Sequence, residues 1–286
     1  MAGSTFKDAY SLPRDKTESI RLEHQHRLII QNTGFVLHPT IAANLPEGAR
    51  IAEIATGTGI WMRDVAATAP SSWTFTGFDL SDAQFPPADQ RGGHSYQILN
   101  ILEPLPKVLD STFDAVHIRY LICALSSKDW ITVAQNILKL LKPGGYLQWF
   151  ESDFPRLKAL QSTATQTMES TKTMLHAFMT LQWENDVALI DGVNPELRKN
   201  VAKAGFVDVR EDVIASDRAA ETRKEHTLIG LQAVSAGTLI KMKQQGKWVH
   251  DEQWVHDMYK KAVEEMEGGV YVRWDMHVIT GRKPSS

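Results

Sequence analysis

The feature that most constrains this chain is a glycine-rich turn, EIATGTGIW, which runs from Glu53 to Trp61 between an apolar run and a helical pattern. Gly57 and Gly59 allow the backbone to turn tightly and to approach a ligand closely. A helix that begins at such a turn directs free backbone N–H groups at whatever is bound. The turn therefore predicts a nucleotide-type site at the edge of a sheet.

Strand-like and helix-like patterns alternate after this turn. Apolar or β-branched runs occupy residues 49–55, 73–80, 94–101, 113–122, 146–151, 205–214 and 268–283. Strands that alternate with amphipathic helices favour a parallel sheet with helices on both faces, wound by right-handed crossovers. We therefore predict an α/β fold with a doubly wound, seven-stranded, Rossmann-like sheet.

Composition excludes several classes of protein. The 286 residues carry a net charge of −3, and no long basic run supplies the charge needed to bind nucleic acid or a membrane surface. Cys123 is the single cysteine, so an intrachain disulfide is impossible and a reducing compartment is expected. The polar N-terminus lacks an apolar signal segment, and no apolar run is long enough to cross a bilayer. We expect a cytoplasmic protein.

Three nucleotide-type ligands compete for the turn. A phosphate loop needs Lys and then Ser or Thr where Ile60 and Trp61 stand, so that ligand class is excluded. An NAD site needs a small residue where Met62 stands, which makes NAD a minor option. S-adenosylmethionine has no phosphates to hold. Glu53 can approach its methionine ammonium, and Asp79, at the end of the second strand, can accept both ribose hydroxyls, although Asp79 alone also fits NAD.

These motifs together resemble class I S-adenosylmethionine-dependent methyltransferases. Residues 53–59 match the E/D-x-G-x-G-x-G motif of that family, with Ala55 in place of the first glycine. Alanine fits there if its φ is negative and is strained otherwise. Asp79-Leu80-Ser81 matches the second motif and residues 100–106 the third, where Asn100 replaces the more usual Asp; Pro143-Gly144-Gly145 precedes the fifth strand as in the family.

The resemblance implies S-adenosylmethionine as the cofactor and S-adenosylhomocysteine as the product. It also assigns a set of cofactor-binding residues. These are Tyr10, Glu53, Ala55, Thr56, Gly57, Gly59, Asp79, Leu80, Ser81, Asn100, Ile101 and Arg119.

A narrower resemblance is to fungal secondary-metabolite methyltransferases of the LaeA-like group. It rests on the segments TGTGIW, GFDLS, VHIRYL and LKPGGYLQWFE and on the leading segment YSLPRDKTESIRLEHQH. This likeness implies a small natural-product acceptor, in a group that includes enzymes acting on nonribosomal peptides and thiodiketopiperazines. It also implies that the N-terminal segment closes over the cofactor.

A single methyltransferase domain is expected over residues 1–286. Its parts are an N-terminal helical lid (1–45), a cofactor-binding core (46–155), a helical cap (156–204) and a C-terminal part that completes the sheet (205–286). The lid contains a helix that we predict to begin at a Thr17 cap and to end at Gly34.

Acceptor-side candidates follow from the ends of the fourth and fifth strands, where ligands of such sheets bind. Three residues are catalytic candidates. His117 is either a general base or a hydrogen-bonded histidine inside a buried strand, Glu151 is an orienting acid or a base, and His26 lies with Arg21 and Gln25 on the lid helix. Substrate contacts are predicted for Tyr120, Trp149, Phe178 and Trp183.

No metal is expected. Catechol-type methyltransferases carry an acidic magnesium ligand just after strand four, where this chain has Arg119 and Tyr120. His24 and His26 do not share a helix face, so they make no zinc pair.

Three functions stay open from the sequence. The first is metal-independent methyl transfer to an O, N or S atom of a natural product. The second is a LaeA-like regulator that binds the cofactor and acts through protein partners. The third is a cyclase or isomerase that uses the fold without methyl transfer. The sequence predicts no oligomeric state.

Overall fold

A seven-stranded sheet forms the centre of the protein. The computed structural model describes residues 10, 12–126, 128–183, 196–246 and 250–285. The strands follow the order β3-β2-β1-β4-β5-β9-β7. Their bounds are β1 Arg50–Ile54, β2 Thr74–Asp79, β3 Ser95–Ile98, β4 Phe113–Arg119, β5 Leu141–Ser152, β7 Val207–Ala215 and β9 Asp275–Arg282, and a separate two-stranded sheet pairs β6 Lys158–Leu160 with β8 Tyr271–Arg273.

The strand order reverses between β1 and β4. From β1 the chain builds outward through β2 to β3 on one side, then returns to build β4 and β5 on the other, and all these neighbours are parallel. Strand β9 is antiparallel to both β5 and β7. The reversal leaves a crevice at the carboxyl ends of β1 and β4, the usual ligand position in such sheets. The predicted doubly wound α/β class is confirmed.

Helices cover the sheet on two sides. On β4, Ala115 packs into a cluster with Trp61 and Met62, whereas its neighbour Val116 packs into a second cluster with Val133. Successive strand residues point to opposite faces, so the sheet has a core on each face. The helices are α1 Lys16–Thr33, α2 Pro39–Ala42, α3 Ile60–Thr68, α4 Asp129–Leu140, α5 Glu169–Trp183, α6 Glu196–Lys203, α7 Arg223–Gln245 and α8 Glu252–Glu267.

Helix α1 is held on the body by polar contacts. Its N-cap is Asp15, whose side chain accepts from the Glu18 N–H at 2.9 Å, so the predicted Thr17 cap is wrong by two residues. It ends at Gly34, as predicted, with φ 84°. At its C-terminal end Asn32 Nδ2 donates to Thr222 Oγ1 at 2.8 Å. These contacts fix the face of α1 that looks toward the crevice.

The predicted helical cap is correct only in part. Residues 158–160 form β6, and α5 begins only at Glu169, because Pro155 and the polar stretch that follows β6 do not continue a helix. Residues 184–195 of this region lie outside the described residues.

The predicted single strand over residues 268–283 is two strands, β8 and β9, separated at Trp274. The backbone N–H of Trp274 donates to Ser216 Oγ, and its carbonyl accepts from the Ser216 N–H. These bonds replace the sheet pairing that would have joined the two strands.

The glycine turn after β1 is tight in two ways. Gly59 caps α3 with φ 72°, and a Cβ at this position would lie 2.7 Å from a ring carbon of Tyr96. Ala55 has φ 56°, so the alanine that replaces the family's first glycine is held in the left-handed region, where a side chain is strained.

Gly59→Ala tests this packing. We expect a loss of about 2–4 kcal/mol in the free energy of unfolding, because left-handed alanine costs about 1–2 kcal/mol and the clash with Tyr96 adds a similar amount. Urea denaturation measures it. Gly246→Ala is the matched control, since Gly246 has φ 68° and open space around its Cα. Equal losses in the two variants would contradict the proposed clash.

Candidate active site

A cavity with about 1080 Å³ of empty space, part of it open to solvent, lies at the carboxyl ends of the strands where their order reverses. Most of the predicted cofactor residues line it: Tyr10, Glu53, Ala55, Thr56, Gly57, Asp79, Leu80, Asn100, Ile101 and Arg119. Gly59 and Ser81 do not. Gly59 begins α3, and the Ser81 N–H donates to Asp79 Oδ1 at 3.3 Å, so both shape the wall from behind.

Asp79 ties the end of β2 to the glycine turn. Its Oδ2 accepts from the Gly57 N–H at 2.9 Å. Burial raises the pKa of Asp79, and the N–H groups of Gly57 and Ser81 act in the opposite direction by stabilising the carboxylate. The carboxylate is therefore placed at the cavity wall with its oxygens oriented by the backbone.

Glu53 places a second buried acid in the same cavity. Thr56 Oγ1 donates to Glu53 Oε2 at 2.6 Å. Burial raises the pKa of Glu53 to about 7, against the stabilising effects of Thr56 and the positive charge of Arg119. A cation that enters the cavity would favour the ionised form of Glu53.

Arg119 is positioned by the lid helix. Its Nη1 donates to Nδ1 of His26 at 2.8 Å, and Nε2 of His26 contacts Asp64 Oδ2 on α3 at 3.0 Å. Burial lowers the pKa of His26 to about 4, and the positive charge of Arg119 acts in the same direction. His26 lines neither cavity and both its nitrogens are engaged, so its contact with the site runs through Arg119.

The predicted cofactor residue Asn100 already has a hydrogen-bond partner within the chain. Asn100 Oδ1 accepts from the Leu102 N–H at 3.1 Å, which closes a turn after β3. One acceptor lone pair of this oxygen remains for a ligand.

Two cavity residues that the motifs did not predict carry unsatisfied atoms. Thr58 Oγ1 and Gln84 Nε2 are buried and have no hydrogen-bond partner within the part of the chain that the structure describes. Buried polar groups are normally paired, so both indicate a ligand at this wall. Thr58 stands inside the motif and was open to prediction, whereas Gln84 reaches the cavity only through the fold of its loop.

A second cavity, with about 850 Å³ of empty space, adjoins the first. The two share Tyr10, Leu22, Gln25 and Tyr120. The second has a largely apolar wall formed by α1, α5, α7 and the region around β8. Phe178 lines it as predicted, and so does Cys123, which the sequence suggested to be a small core residue. The Trp183 side chain lies outside the described residues.

Tyr120 stands between the two cavities in an unusual backbone conformation. Its φ is 56°, in the left-handed region. Its hydroxyl accepts from Ser152 Oγ at 3.0 Å, and its ring packs edge-on against Phe150 at 5.4 Å. Burial raises the pKa of Tyr120 to about 12, so the hydroxyl is neutral at physiological pH.

Three predicted acceptor-side residues lie in the core and line neither cavity: His117, Trp149 and Glu151. His117 is stacked on Trp61 with ring centroids 3.9 Å apart, and burial lowers its pKa well below the usual value. Trp149 is fully buried, and its Nε1 donates to Glu151. The catalytic and substrate roles expected for them are not supported by these positions, because both faces of β4 and β5 are covered there and the side chains are buried.

Glu151 stabilises the wall of the first cavity from behind. Its Oε1 accepts from the N–H groups of Leu121 and Ile122 at 2.8 and 3.2 Å, which holds the turn after β4. Leu121 lines the first cavity. Burial raises the pKa of Glu151 to about 8.

Neither a metal cluster nor a membrane-spanning helix occurs in the part of the chain that the structure describes. No group of three His, Cys, Asp or Glu side chains suited to a metal ion occurs among the residues that the structure describes. None of the described helices has the length and apolar character that crossing a bilayer requires.

The buried histidines predict acid sensitivity. Burial lowers the pKa of His26 and of His226 to about 4, so the unfolded chain takes up these protons below about pH 6.5 and the folded chain does not. Each of these two histidines should therefore contribute a loss of about 1.4 kcal/mol of stability per pH unit as the pH drops from 6.5 to 4, whereas the buried carboxyls of Glu53 and Glu151, whose pKa values are raised, contribute in the opposite direction.

His26→Gln should remove one histidine's share of that slope in urea titrations at several pH values. The exposed His256 on α8 supplies the control, His256→Gln, which should keep the slope of the wild type. An unchanged slope in His26→Gln would show that His26 is not buried in its neutral form.

Comparison with known proteins gives a consistent family. The model of a methyltransferase domain family, Methyltransf_23, matches residues 22–210. The methyltransferase grgD of a Penicillium species is 38% identical over 51% of this chain and 53% of its own length, so the chain spans about half the length of that relative. The secondary metabolism regulator laeA of Fusarium oxysporum is 28% identical over 99% of this chain and 90% of its own.

A solved structure supports the fold alone. The Haloferax volcanii complex between the Trm112 methyltransferase activator and a methyltransferase has a TM-score of 0.51 and 15% identity, covering 98% of this chain and 100% of that one. With the family model matching well over half of its length, this chain belongs to the methyltransferase domain family.

Proposed function

We propose that the protein is a metal-independent, S-adenosylmethionine-dependent methyltransferase that acts on an N or S atom of a small natural product. The observation that carries this proposal is the pair of adjoining cavities. One is lined by acids at the ends of parallel strands, the other is largely apolar, and they share four residues. The cofactor binds in the first, and the acceptor in the second.

The residues of the first cavity fit the cofactor. Glu53 holds the methionine ammonium, and Asp79 offers carboxylate oxygens to the ribose hydroxyls. Gly57 leaves room for close backbone approach, and the unpaired Thr58 Oγ1 and Gln84 Nε2 supply further polar contacts. When bound, S-adenosylmethionine supplies an activated methyl group on a sulfonium.

The protein's own contribution is alignment and exclusion of water. Leu22, Gln25 and Tyr120 stand at the boundary of the two cavities, where an acceptor atom and the methyl group would meet. In-line displacement gains most from such positioning.

Among the described residues that line the second cavity, none is placed to act as a base. Burial raises the pKa values of Tyr10, Tyr120 and Cys123 on its wall, and Arg21 stays protonated. This favours an amine or a thiol over an unactivated alcohol as the acceptor, since an alcohol needs a base to become nucleophilic.

A second candidate is a cofactor-binding regulator that acts through protein partners. It is favoured by the likeness to the regulator laeA, which extends over nearly the whole of both chains. The two functions differ in turnover. Incubation with S-adenosylmethionine and fractionated metabolite extracts should release S-adenosylhomocysteine if the protein is an enzyme, and none if it only regulates.

Asp79→Ala tests the cofactor site. We expect S-adenosylhomocysteine binding to weaken more than tenfold, a change above about 1.4 kcal/mol, because the ribose loses its acceptor and the Gly57 turn loses its anchor. Calorimetric titration measures it. Asp82→Ala, at an exposed acid three residues later, is the control. Wild-type affinity in Asp79→Ala would refute the assignment.

Glu53 predicts a pH dependence of cofactor binding. Since burial raises its pKa to about 7, Glu53 is largely neutral at pH 6 and ionised at pH 8. Attraction to the methionine ammonium is lost as the pH falls, so S-adenosylhomocysteine affinity should drop several-fold between pH 8 and pH 6. Glu53→Gln should bind weakly at both values. A Glu53→Gln variant that keeps the full pH dependence would assign it to another group.

A further inference from the structure

The second cavity, in which we place the methyl acceptor, has hydrogen-bond donors in its wall that lack a partner among the described residues. Among the described residues that line it, Arg21 Nη1 and Trp274 Nε1 are buried polar atoms without a hydrogen-bond partner. Both groups can only donate. A buried donor left unpaired costs about 1–3 kcal/mol. An occupant that fits this wall therefore brings acceptor atoms.

Arg21 is held rigidly with one edge already used. Its Nε and Nη2 donate to the two carboxylate oxygens of Glu18, each at 2.7 Å, and the side chains are only 7% and 3% exposed. This bidentate pair fixes the plane of the guanidinium. The remaining nitrogen, Nη1, is the one that has no partner.

The Arg21–Glu18 pair also determines which ligand charge the second cavity can accommodate. Arg21 is the single charged residue among the described residues of this wall, and Glu18 neutralises it. A carboxylate ligand would bring an unbalanced negative charge close to Glu18 in a buried place, which is costly. A neutral group that accepts a hydrogen bond from Arg21 carries no such cost.

Trp274 is fixed as firmly. Its backbone is bonded in both directions to Ser216, at 3.0 and 2.9 Å, and its ring lies 5.3 Å from that of His226. Trp274 is 5% exposed as a residue, so the indole N–H has little freedom to move.

We infer that the methyl acceptor is an uncharged, largely apolar molecule whose carbonyl oxygen accepts a hydrogen bond from Arg21 Nη1, with Trp274 Nε1 available to a second acceptor atom. The inference rests on the proposed function, which places the acceptor in this cavity.

Three probes that share two phenyl rings test this inference without the natural acceptor. Benzophenone has a carbonyl, diphenylmethane has none, and diphenylacetate carries a carboxylate. Their affinities for the full chain, with S-adenosylhomocysteine present, are measured by equilibrium dialysis. Benzophenone should bind at least tenfold more tightly than diphenylacetate.

Two variants test whether the Arg21–Glu18 ion pair causes the preference for the neutral carbonyl probe. Glu18→Gln leaves the guanidinium unbalanced, so diphenylacetate affinity should rise about tenfold while benzophenone affinity changes less than twofold. Glu18→Gln combined with Arg21→Met removes the donor without stranding a buried carboxylate. In that double variant the ratio of benzophenone to diphenylmethane affinity should fall about tenfold, equivalent to about 1.4 kcal/mol. Arg27→Met, at an exposed arginine of α1, should keep the wild-type ratio.

Three outcomes would overturn the inference. They are absence of binding by every probe, diphenylacetate binding as tightly as benzophenone to the wild type, and an unchanged affinity ratio in the double variant. If the double variant does not fold, the wild-type and Glu18→Gln comparisons still decide. Calorimetry with S-adenosylhomocysteine on the same samples separates the two proposals. Retained cofactor binding with no carbonyl preference overturns this inference alone, whereas lost cofactor binding in the wild type overturns the proposed function.

Discussion

The reversal of strand order between β1 and β4 is the constraint on which the rest of this structure depends. It opens a crevice at the carboxyl ends of the strands, and the turn after β1 lies at its edge. Asp79, from the end of β2, then bonds the Gly57 N–H and fixes that turn. Without the reversal, Glu53 and Asp79 would face a covered sheet edge instead of a cavity.

Helix α1 contributes to the walls of two adjoining cavities at this crevice. Leu22 and Gln25 contribute to both, while His26 orients Arg119 and Arg21 enters the second cavity. The helix is therefore part of the site and not only a cover. Buried charge along it is balanced locally, by Glu18 for Arg21, so the acceptor region stays close to neutral.

The cofactor side could be predicted from the sequence because its signals are local. Glycine spacing and the residue at the end of a strand depend on a few neighbouring positions. Glu53, Gly57 and Asp79 were selected in this way, and the structure places all three in the wall of the first cavity. The acceptor side depends on which face of a strand or helix is covered. His117 and Trp149 were placed by proximity to strand ends, but both faces of these central strands are covered at their positions, so the side chains lie in the core. The break at Trp274 and the contact of His26 with Arg119 arise from segments far apart in the chain.

Calorimetric titration of the wild-type protein with S-adenosylmethionine and S-adenosylhomocysteine tests the central claim most directly. The account predicts one site per chain that binds both with micromolar dissociation constants, since Glu53, Asp79 and the glycine turn are already in place around the cavity. Absence of binding by either molecule would contradict it, and would mean that the left-handed Ala55 marks a turn that no longer accepts the cofactor.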